Sequence, residues 1–462
     1  MSRVMLVSPS RNYPMGNEQY PSGALLLLGT MLSHRGHEVK VIHMVADRKN
    51  TEDIRKDIAT LHPDIVGFTV TTYQTKMTKI LSAMVKSEND EITTIAGGSH
   101  PSALKGEFLK DFPNIDVAVY GEGEMAMLSL ANNLRLSSTK GICYRTNGNG
   151  AVTVNPPGDR ILELDVLPMP DKRLIDFKRY AGLFPVGRRP CMFIMSSRGC
   201  PYNCSFCSKS VFGSRLQQRS PENIVEEIGL LYRYWGVREV HFGDDTFNAN
   251  LGWAHRLLDL VVAKGYNKKL VFRVALRVNK KIINADLLRH LKEAGVWFIY
   301  YGVESGNQKM LDRMHKGITI EEVKRAFKMT HDFGIRTEAF FIVGLPGETV
   351  QTIQDSRDLY KEIKPWWGGF SKAMPFPDTT LTREVTEKGH LLCGDYDQLN
   401  PSRMVVRTDE MSAEELDRWA DRLNKMTRMG KMLKVRQMRY LVTDQLKSVV
   451  SEKIWTKPGG SI

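Results

Sequence analysis

Cysteine is scarce in this chain, with six in 462 residues. So few thiols exclude a disulfide framework as the source of stability. Long apolar runs are missing too. No segment approaches the roughly 18 to 20 apolar residues that span a bilayer. The longest patch, Ala24 to Leu28, sits in a short helix expected to end near Gly36. The N-terminus, Met1 to Ser8, reads as a strand and lacks the apolar stretch and small-residue cleavage site of a secretory leader. A cytoplasmic location is therefore expected. Internal repeats and low-complexity tracts are absent as well. The charge is uneven but moderate, 65 basic against 52 acidic residues for a net +13. That excess suits either a solvated surface or an anionic partner, and no nucleic-acid partner is expected. The length exceeds one compact core and implies two or three domains.

What is present is a strand–helix alternation. Val4 to Val7, Val39 to Ile42, Ile65 to Val70, Thr93 to Ala96 and Val117 to Tyr120 are short, nearly continuous apolar runs rich in β-branched residues. Such runs suit parallel strands buried on both faces. Helix-sized segments lie between and after them at 22–35, 51–61, 73–87, 101–110 and 123–134, with Gly36 as a C-terminal cap. The pattern predicts an open, doubly wound α/β domain over residues 1–155. In such sheets ligands bind beyond the carboxyl ends of the strands. The loops there carry Ser8 and Ser10, then Thr69, Thr71, Thr72 and Tyr73, then Gly97, Gly98, Ser99 and His100, then Gly121, Glu122, Gly123 and Glu124. Any one loop could be no more than good turn chemistry. Four at one sheet edge predict a binding site, because glycine permits close approach and hydroxyls supply hydrogen bonds.

Residues 141–154 read as a small β addition around the turn 147–150, and 156–190 as a proline-bearing linker. A second alternation then begins. Met192 to Ser196, Glu239 to Phe242, Leu270 to Ala275, Trp297 to Val303, Thr337 to Val343 and Gly369 to Met374 read as strands with helices between. Six β/α units predict a partial (β/α)6 barrel over 191–384, with its active site at the carboxyl ends. Residues 385–462 form the remaining region. Within it, 412–455 look helical, and 421–457 are basic with Met426, Met429, Met432 and Met438 interspersed. A methionine stripe suits core packing or an adaptable contact surface.

The sharpest signal is Cys200-x3-Cys204-x2-Cys207 on the loop after the first barrel strand. Thiolates hold iron–sulfur clusters. Three of them leave one iron of a [4Fe–4S] cube open to a small molecule. Zinc is the alternative, but structural zinc sites complete four ligands, and no nearby Cys or His offers a fourth at typical spacing. Cys143, Cys191 and Cys393 read as structural.

This C-x3-C-x-aromatic-C motif resembles that of the radical S-adenosylmethionine (SAM) superfamily. The resemblance implies a SAM molecule on the open iron, cleaved to a 5′-deoxyadenosyl radical by an electron from a reductase or other low-potential donor. It implies Phe206 beside the adenine, Asp244 and Asp245 of Phe242–Phe247 at the SAM amino group, Arg277 reaching the bound SAM, and Glu304 and Ser305 of Gly302–Gly306 near ribose or carboxylate. Phe341 to Thr349 is also typical of these proteins.

The N-terminal half resembles the flavodoxin-like cobalamin-binding domain fused to many radical SAM enzymes. The resemblance rests on Pro21-Ser22-Gly23-Ala24, Gly36-His37-Glu38-Val39, Gly97 to Pro101, Tyr120 to Glu124 and the linker Leu167 to Asp171. It implies cobalamin held by the loops named above. One departure stands out: D-x-H-x-x-G, whose histidine ligates cobalt from below, is absent. His100 is expected to pack or to hydrogen-bond the corrin or its tail instead.

Members of this subgroup often methylate unactivated carbons. The resemblance implies methyl transfer from one SAM to cobalamin, hydrogen abstraction from the substrate by the adenosyl radical, and methyl transfer to the resulting carbon. A cyclase, oxidase or rearrangement enzyme acting on a small molecule or lipid would show the same motifs. A non-catalytic corrinoid protein would not keep the cluster loop. Methylthiolation is disfavoured because only Cys143 precedes the linker. Substrates of resembling enzymes range from proteins and peptides, such as methyl-coenzyme M reductase, to lipids, pigments and antibiotics. A protein or peptide is the expected substrate.

Overall fold

The computed structural model describes residues 1–13, 20–146, 151–180 and 187–428. The expected turn at 147–150 and the chain beyond 428, with Met429, Met432 and Met438, lie outside the described residues.

The first sheet contains β1 (Arg3–Ser8), β2 (Glu38–His43), β3 (Ile65–Thr69), β4 (Thr93–Gly97) and β5 (Val117–Val119), followed by β6 (Ile142–Arg145) and β7 (Val152–Val154). Its order is β2-β1-β3-β4-β5-β6-β7. The first five strands are parallel, and β6 and β7 extend the edge antiparallel. The order 2-1-3-4-5 is the doubly wound, flavodoxin-like arrangement, with its switch point between β1 and β3. The helices are α1 (Gly23–His34), α2 (Met44–Asp47), α3 (Thr51–Leu61), α4 (Thr75–Glu88), α5 (Ser99–Leu104), α6 (Gly106–Asp111) and α7 (Glu124–Ala131). Ser22 caps α1 by accepting from Leu25 N. Gly36 ends that helix as expected: its φ is +84°, and His37 N reaches back to Leu32 O.

The single helix expected at 101–110 is instead two. Lys105 breaks the chain with φ +52°. The break brings Gly106 against the β6–β7 hairpin, where an added Cβ would stand 2.9 Å from Val154 Cγ2.

The second sheet is β8 (Cys191–Ile194), β11 (Glu239–Phe242), β12 (Val271–Leu276), β13 (Val296–Glu304), β14 (Arg336–Val343) and β15 (Trp367–Lys372), all parallel and in sequential order. A short ribbon, β9 (Ser197–Arg198) with β10 (Gln217–Gln218), pinches off the cysteine loop. Outside the strands lie α8 (Pro221–Trp235), α9 (Leu251–Ala263), α10 (Ala285–Glu293), α11 (Gln308–Arg313), α12 (Ile320–Asp332), α13 (Val350–Ile363) and α14 (Thr380–Glu387). Ser220 and Pro221 open α8 as cap and first residue, and Gly236 closes it in the left-handed conformation. This is the open six-unit barrel that the sequence predicts.

The chain after α14 is largely irregular to 412 and helical over 413–428. It packs on the barrel: Leu399, Val406, Leu416, Ala420 and Leu423 are buried in the same apolar cluster as the barrel strands. Met426, the one described member of the methionine stripe, packs against that cluster from its edge.

Candidate active site

Ion pairs join the two α/β units where their carboxyl edges meet. Arg198, on β9 just before the cysteines, lies 3.1 Å from Glu122 and 2.5 Å from Glu124 of the loop after β5. The three side chains are only 6–8% exposed. Lys172 of the linker pairs with Glu227 of α8, which also holds Arg219 at 2.6 Å. Further out, Lys79 of α4 reaches Asp397 at 2.8 Å.

The cysteine loop is tied down on both sides. Ser205 N donates to Met314 O and Ser205 O accepts from Leu381 N, while Cys207 N donates to Cys204 O. Cys200 Sγ lies 3.7 Å from Thr246 Oγ1, and Arg277 Nη1 donates to Cys204 Sγ at 3.6 Å. Cys207 is the most exposed of the three cysteines. Partial desolvation of its thiol by the surrounding loop, and then the negative charge of Asp245, Cys204 and Cys200, pushes it up to about 11. Gathering anionic ligands in this way is unfavourable until a cationic centre offsets it, so the donor set fits a metal cluster.

Arg277 is fixed at both backbone atoms by Asn248, whose Oδ1 accepts from Arg277 N and whose Nδ2 donates to Arg277 O. Its guanidinium sits 3.8 Å from the centre of the Tyr202 ring. Arg277 Nε is buried without a hydrogen-bond partner. An unpaired guanidinium N–H beside the thiols fits a carboxylate ligand.

Of the two adjacent aspartates, Asp244 is buried, and its oxygens accept from the Ser196 and Ser197 hydroxyls. Burial raises its carboxyl pKa despite those bonds. Asp244 thus braces the start of the cysteine loop, and Asp245 alone is open to solvent there. Glu304 stands at a β13 irregularity with φ +69° and accepts from Lys316 Nζ at 2.6 Å. That ammonium is 5.9 Å from the Phe206 ring. Ser305 is buried, accepts from Asn307 N and contacts Ser356 Oγ at 3.4 Å, which directs it towards α13.

The loops of the first domain divide into two groups. Thr69, Gly97, Gly98, Gly121, Glu122, Gly123 and Glu124 line an open space of about 1420 Å³ between the units. It runs along α1 and the switch point and is closed by Met192, Phe193 and Met195 of the barrel. Gly98 has φ +118°, and an added Cβ would lie 2.8 Å from Val70 O. Ser8, Thr71 and Thr72 are held instead by local partners: Gln74 bonds both Ser8 and Thr71, and Thr72 Oγ1 lies 3.2 Å from His100 Nδ1. Ser99 accepts from Ser210 through its carbonyl, and Ser10 is half-buried. His100 does not line the space. Its ring packs edge-on against Phe108, Phe112 and Tyr396, and burial lowers its pKa to about 4, which keeps it neutral.

Tyr73 goes elsewhere. It lines a second open space, of about 1760 Å³, together with Phe206, Phe340, Ile342, Phe370 and Phe376, with Lys425 and Arg428 at its rim. One cavity therefore touches the first domain, the cysteine loop and the barrel lumen. Arg198, Lys172 and Lys316 are participants to which the sequence reading gave no role. The one signal for Arg198 was its place beside Gly199-Cys200, opposite an unusually acidic Gly-Glu-Gly-Glu loop.

Known proteins resemble both units of the chain. The B12 binding domain family matches residues 15–131, and the Radical SAM superfamily matches 194–360. An uncharacterized methyltransferase of Pyrococcus horikoshii is 30% identical over 405 residues, covering 86% of this chain and 85% of its own. The chain belongs to the cobalamin-dependent radical SAM methyltransferase family. The family's cofactors are a [4Fe–4S] cluster, SAM and cobalamin. An anaerobic magnesium-protoporphyrin IX monomethyl ester cyclase of Rubrivivax gelatinosus is 29% identical over 90% of this chain and 75% of its own. The structure of the radical SAM methyltransferase TsrM from Kitasatospora setae with cobalamin and [4Fe–4S] cluster bound shares the fold. Its TM-score is 0.70 at 23% identity, covering 90% of this chain and 84% of that one. Like other radical SAM enzymes, this one needs a reductant. Among its described residues, no helix is long and apolar enough to cross a membrane.

Proposed function

We propose that this enzyme methylates an unactivated carbon, with Cys200, Cys204 and Cys207 holding the cluster and the Gly97–Gly98 and Gly121–Glu124 loops holding cobalamin. Supporting this reading is the space between the units, which these glycine loops line together with Arg198, Val211 and Phe212 of the segment that carries the cysteines. When bound, the cluster with SAM supplies a hydrogen-abstracting radical, and cobalamin supplies the methyl group.

The chain's own residues do the positioning. Arg277, held by Asn248 and stacked on Tyr202, offers its unpaired Nε to a carboxylate beside Cys204. Asp245 offers an open carboxylate to an ammonium group. The Glu304–Lys316 pair presents an ammonium near Phe206. Phe206, Phe340, Ile342, Phe370 and Phe376 offer an apolar wall beside the cysteine loop. The Lys425 and Arg428 rim suits an acidic protein or peptide substrate that offers a side chain to the cavity. The likeness to the Rubrivivax cyclase favours a second reading, cyclisation of a small molecule.

The deciding experiment incubates the reconstituted enzyme with methyl-labelled SAM, a reductant and candidate substrates, followed by product mass. A gain of one labelled methyl group supports methylation. Loss of hydrogen without label supports the second reading and removes the first.

A further inference from the structure

The outer face of the barrel carries a second concentration of metal-binding chemistry, away from the cofactor sites. α9 contributes His255 and Asp259, and α10 contributes Asp286 and His290. Each pair is spaced i,i+4 and so shares one helix face. The packing of α9 on α10 brings the two imidazoles to 4.5 Å between centroids, nearly perpendicular at 79°. His255 Nε2 stands 3.5 Å from Asp286 Oδ2, and His290 Nε2 stands 3.5 Å from Asp259 Oδ1. Both separations exceed the roughly 2.7–3.2 Å of a hydrogen bond. They approach the separation of about 3.3 Å between two ligands that each lie about 2.05 Å from a tetrahedral ion. One donor atom from each of His255, Asp286 and His290 can be chosen so that all lie within 4.8 Å of one another.

The His290 ring is oriented for ligation. His290 Nδ1 lies 2.9 Å from the Asp286 carbonyl oxygen. With the proton on Nδ1 and donated there, Nε2 keeps its lone pair, which is how metal-binding histidines are usually oriented. His255 Nδ1 is buried with no hydrogen-bond partner, so only Nε2, on the Asp286 side, faces a polar group. Arg289 pairs with Asp286 through Oδ1, which leaves Oδ2 facing His255.

We propose that His255, Asp286 and His290 form a three-ligand site for a divalent transition-metal ion of the zinc type, with water completing its shell. Two imidazoles with a carboxylate suit zinc, whereas magnesium and calcium take oxygen-only shells. The ion ties α9 to α10, the helices that follow β11 and β12. Those strands end in Asp244–Asn248 and Arg277, which brace the cysteine loop. The site is therefore a clamp behind one wall of the cofactor region and takes no part in chemistry. It stands whether or not the enzyme is a methylase.

The test uses the full chain with its cluster reconstituted to about four irons, so that Cys200, Cys204 and Cys207 are closed to added metal. Zinc chloride is titrated by calorimetry into the unaltered chain and into the His255→Gln/His290→Gln variant, and melting is recorded with and without zinc. The unaltered chain is expected to take up about one zinc at micromolar concentration and to melt several degrees higher with it. The variant is expected to bind at least about a hundredfold more weakly and to show no shift. Should that variant not accumulate, Asp286→Asn, at an exposed position, carries the same comparison with an expected loss of about tenfold. Equal uptake by the unaltered chain and the variant overturns the proposal, and so does no uptake by the unaltered chain at about 1 mM zinc.

Discussion

Replacing Arg198 by methionine should loosen the two α/β units from one another. The guanidinium is the partner of two carboxylates, 3.1 Å from Glu122 and 2.5 Å from Glu124, in a setting where all three side chains are 6–8% exposed. Removing it strands two anions away from water, and breaking one buried pair typically costs about 3–5 kcal/mol. Glu122 keeps one bond, from Ile161 N at 2.8 Å, while Glu124 Oε2 has no hydrogen-bond partner even with Arg198 present. The lower end of that range, about 3 kcal/mol, is therefore the minimum expected, a factor of about 150 in the equilibrium. The assay is urea unfolding, following the first transition, with cobalamin retention after desalting measured in parallel. Arg198→Met should lower both. Arg198→Met/Glu122→Gln/Glu124→Gln should recover much of the loss, because neutral amides carry a far smaller desolvation cost. If Arg198→Met unfolds within about 1 kcal/mol of the parent, the pairs lie in a wetter, surface-like setting and the clasp argument fails.

Three further outcomes follow from particular contacts. Arg277→Lys loses the stacked planar group above Tyr202 and the donor to Cys204; cluster retention, read from iron content and visible absorbance, should fall by about 10- to 100-fold in affinity. Gly98→Ala forces a Cβ to 2.8 Å from Val70 O at φ +118°; a destabilisation of about 1–3 kcal/mol is expected in chemical denaturation, with weaker cobalamin retention. Glu348 is buried and its pKa is raised from 4.5 to about 8 by desolvation, against backbone donors from Gly344 and Leu345. The folded chain thus holds a proton that the unfolded chain releases above 4.5, so this group's contribution falls as pH rises from 4.5 to about 8. Glu348→Gln should remove that decline, its stability relative to the parent rising through this window; a parallel pair of stability–pH curves contradicts the assignment.

Much of the fold was legible because its strands are parallel and buried on both faces, so continuous β-branched runs mark them directly. All eleven parallel strands fall where the apolar runs do, within one or two residues. The division of α5 from α6 was not legible. Nothing in Ala-Leu-Lys-Gly announces Lys105 at φ +52°, because the break is set by Gly106 packing on Val154 in a hairpin some 45 residues away. The site shows the same limit. Cysteine spacing is local, so the cluster loop could be read from order alone. Which of two neighbouring aspartates faces outward depends on the side of the chain each occupies, and that is decided by Ser196 and Ser197, which take both oxygens of Asp244. The polar loops after β1 and β3 read as ligand contacts, yet Gln74 engages Ser8 and Thr71 and leaves the glycines after β4 and β5 to line the space between the units.

The one long-range feature with a sequence trace is the Arg198 clasp. A buried arginine needs an acidic partner, and Gly-Glu-Gly-Glu is the acidic loop at the opposite sheet edge. Reading the two loops as partners, instead of assigning both glutamates to a ligand, would have fixed how the two carboxyl edges face one another. That facing places Tyr73 and Phe206 on one cavity. The methylation proposed above needs two cofactors to reach one carbon, which calls for this facing of the edges more than for either loop alone.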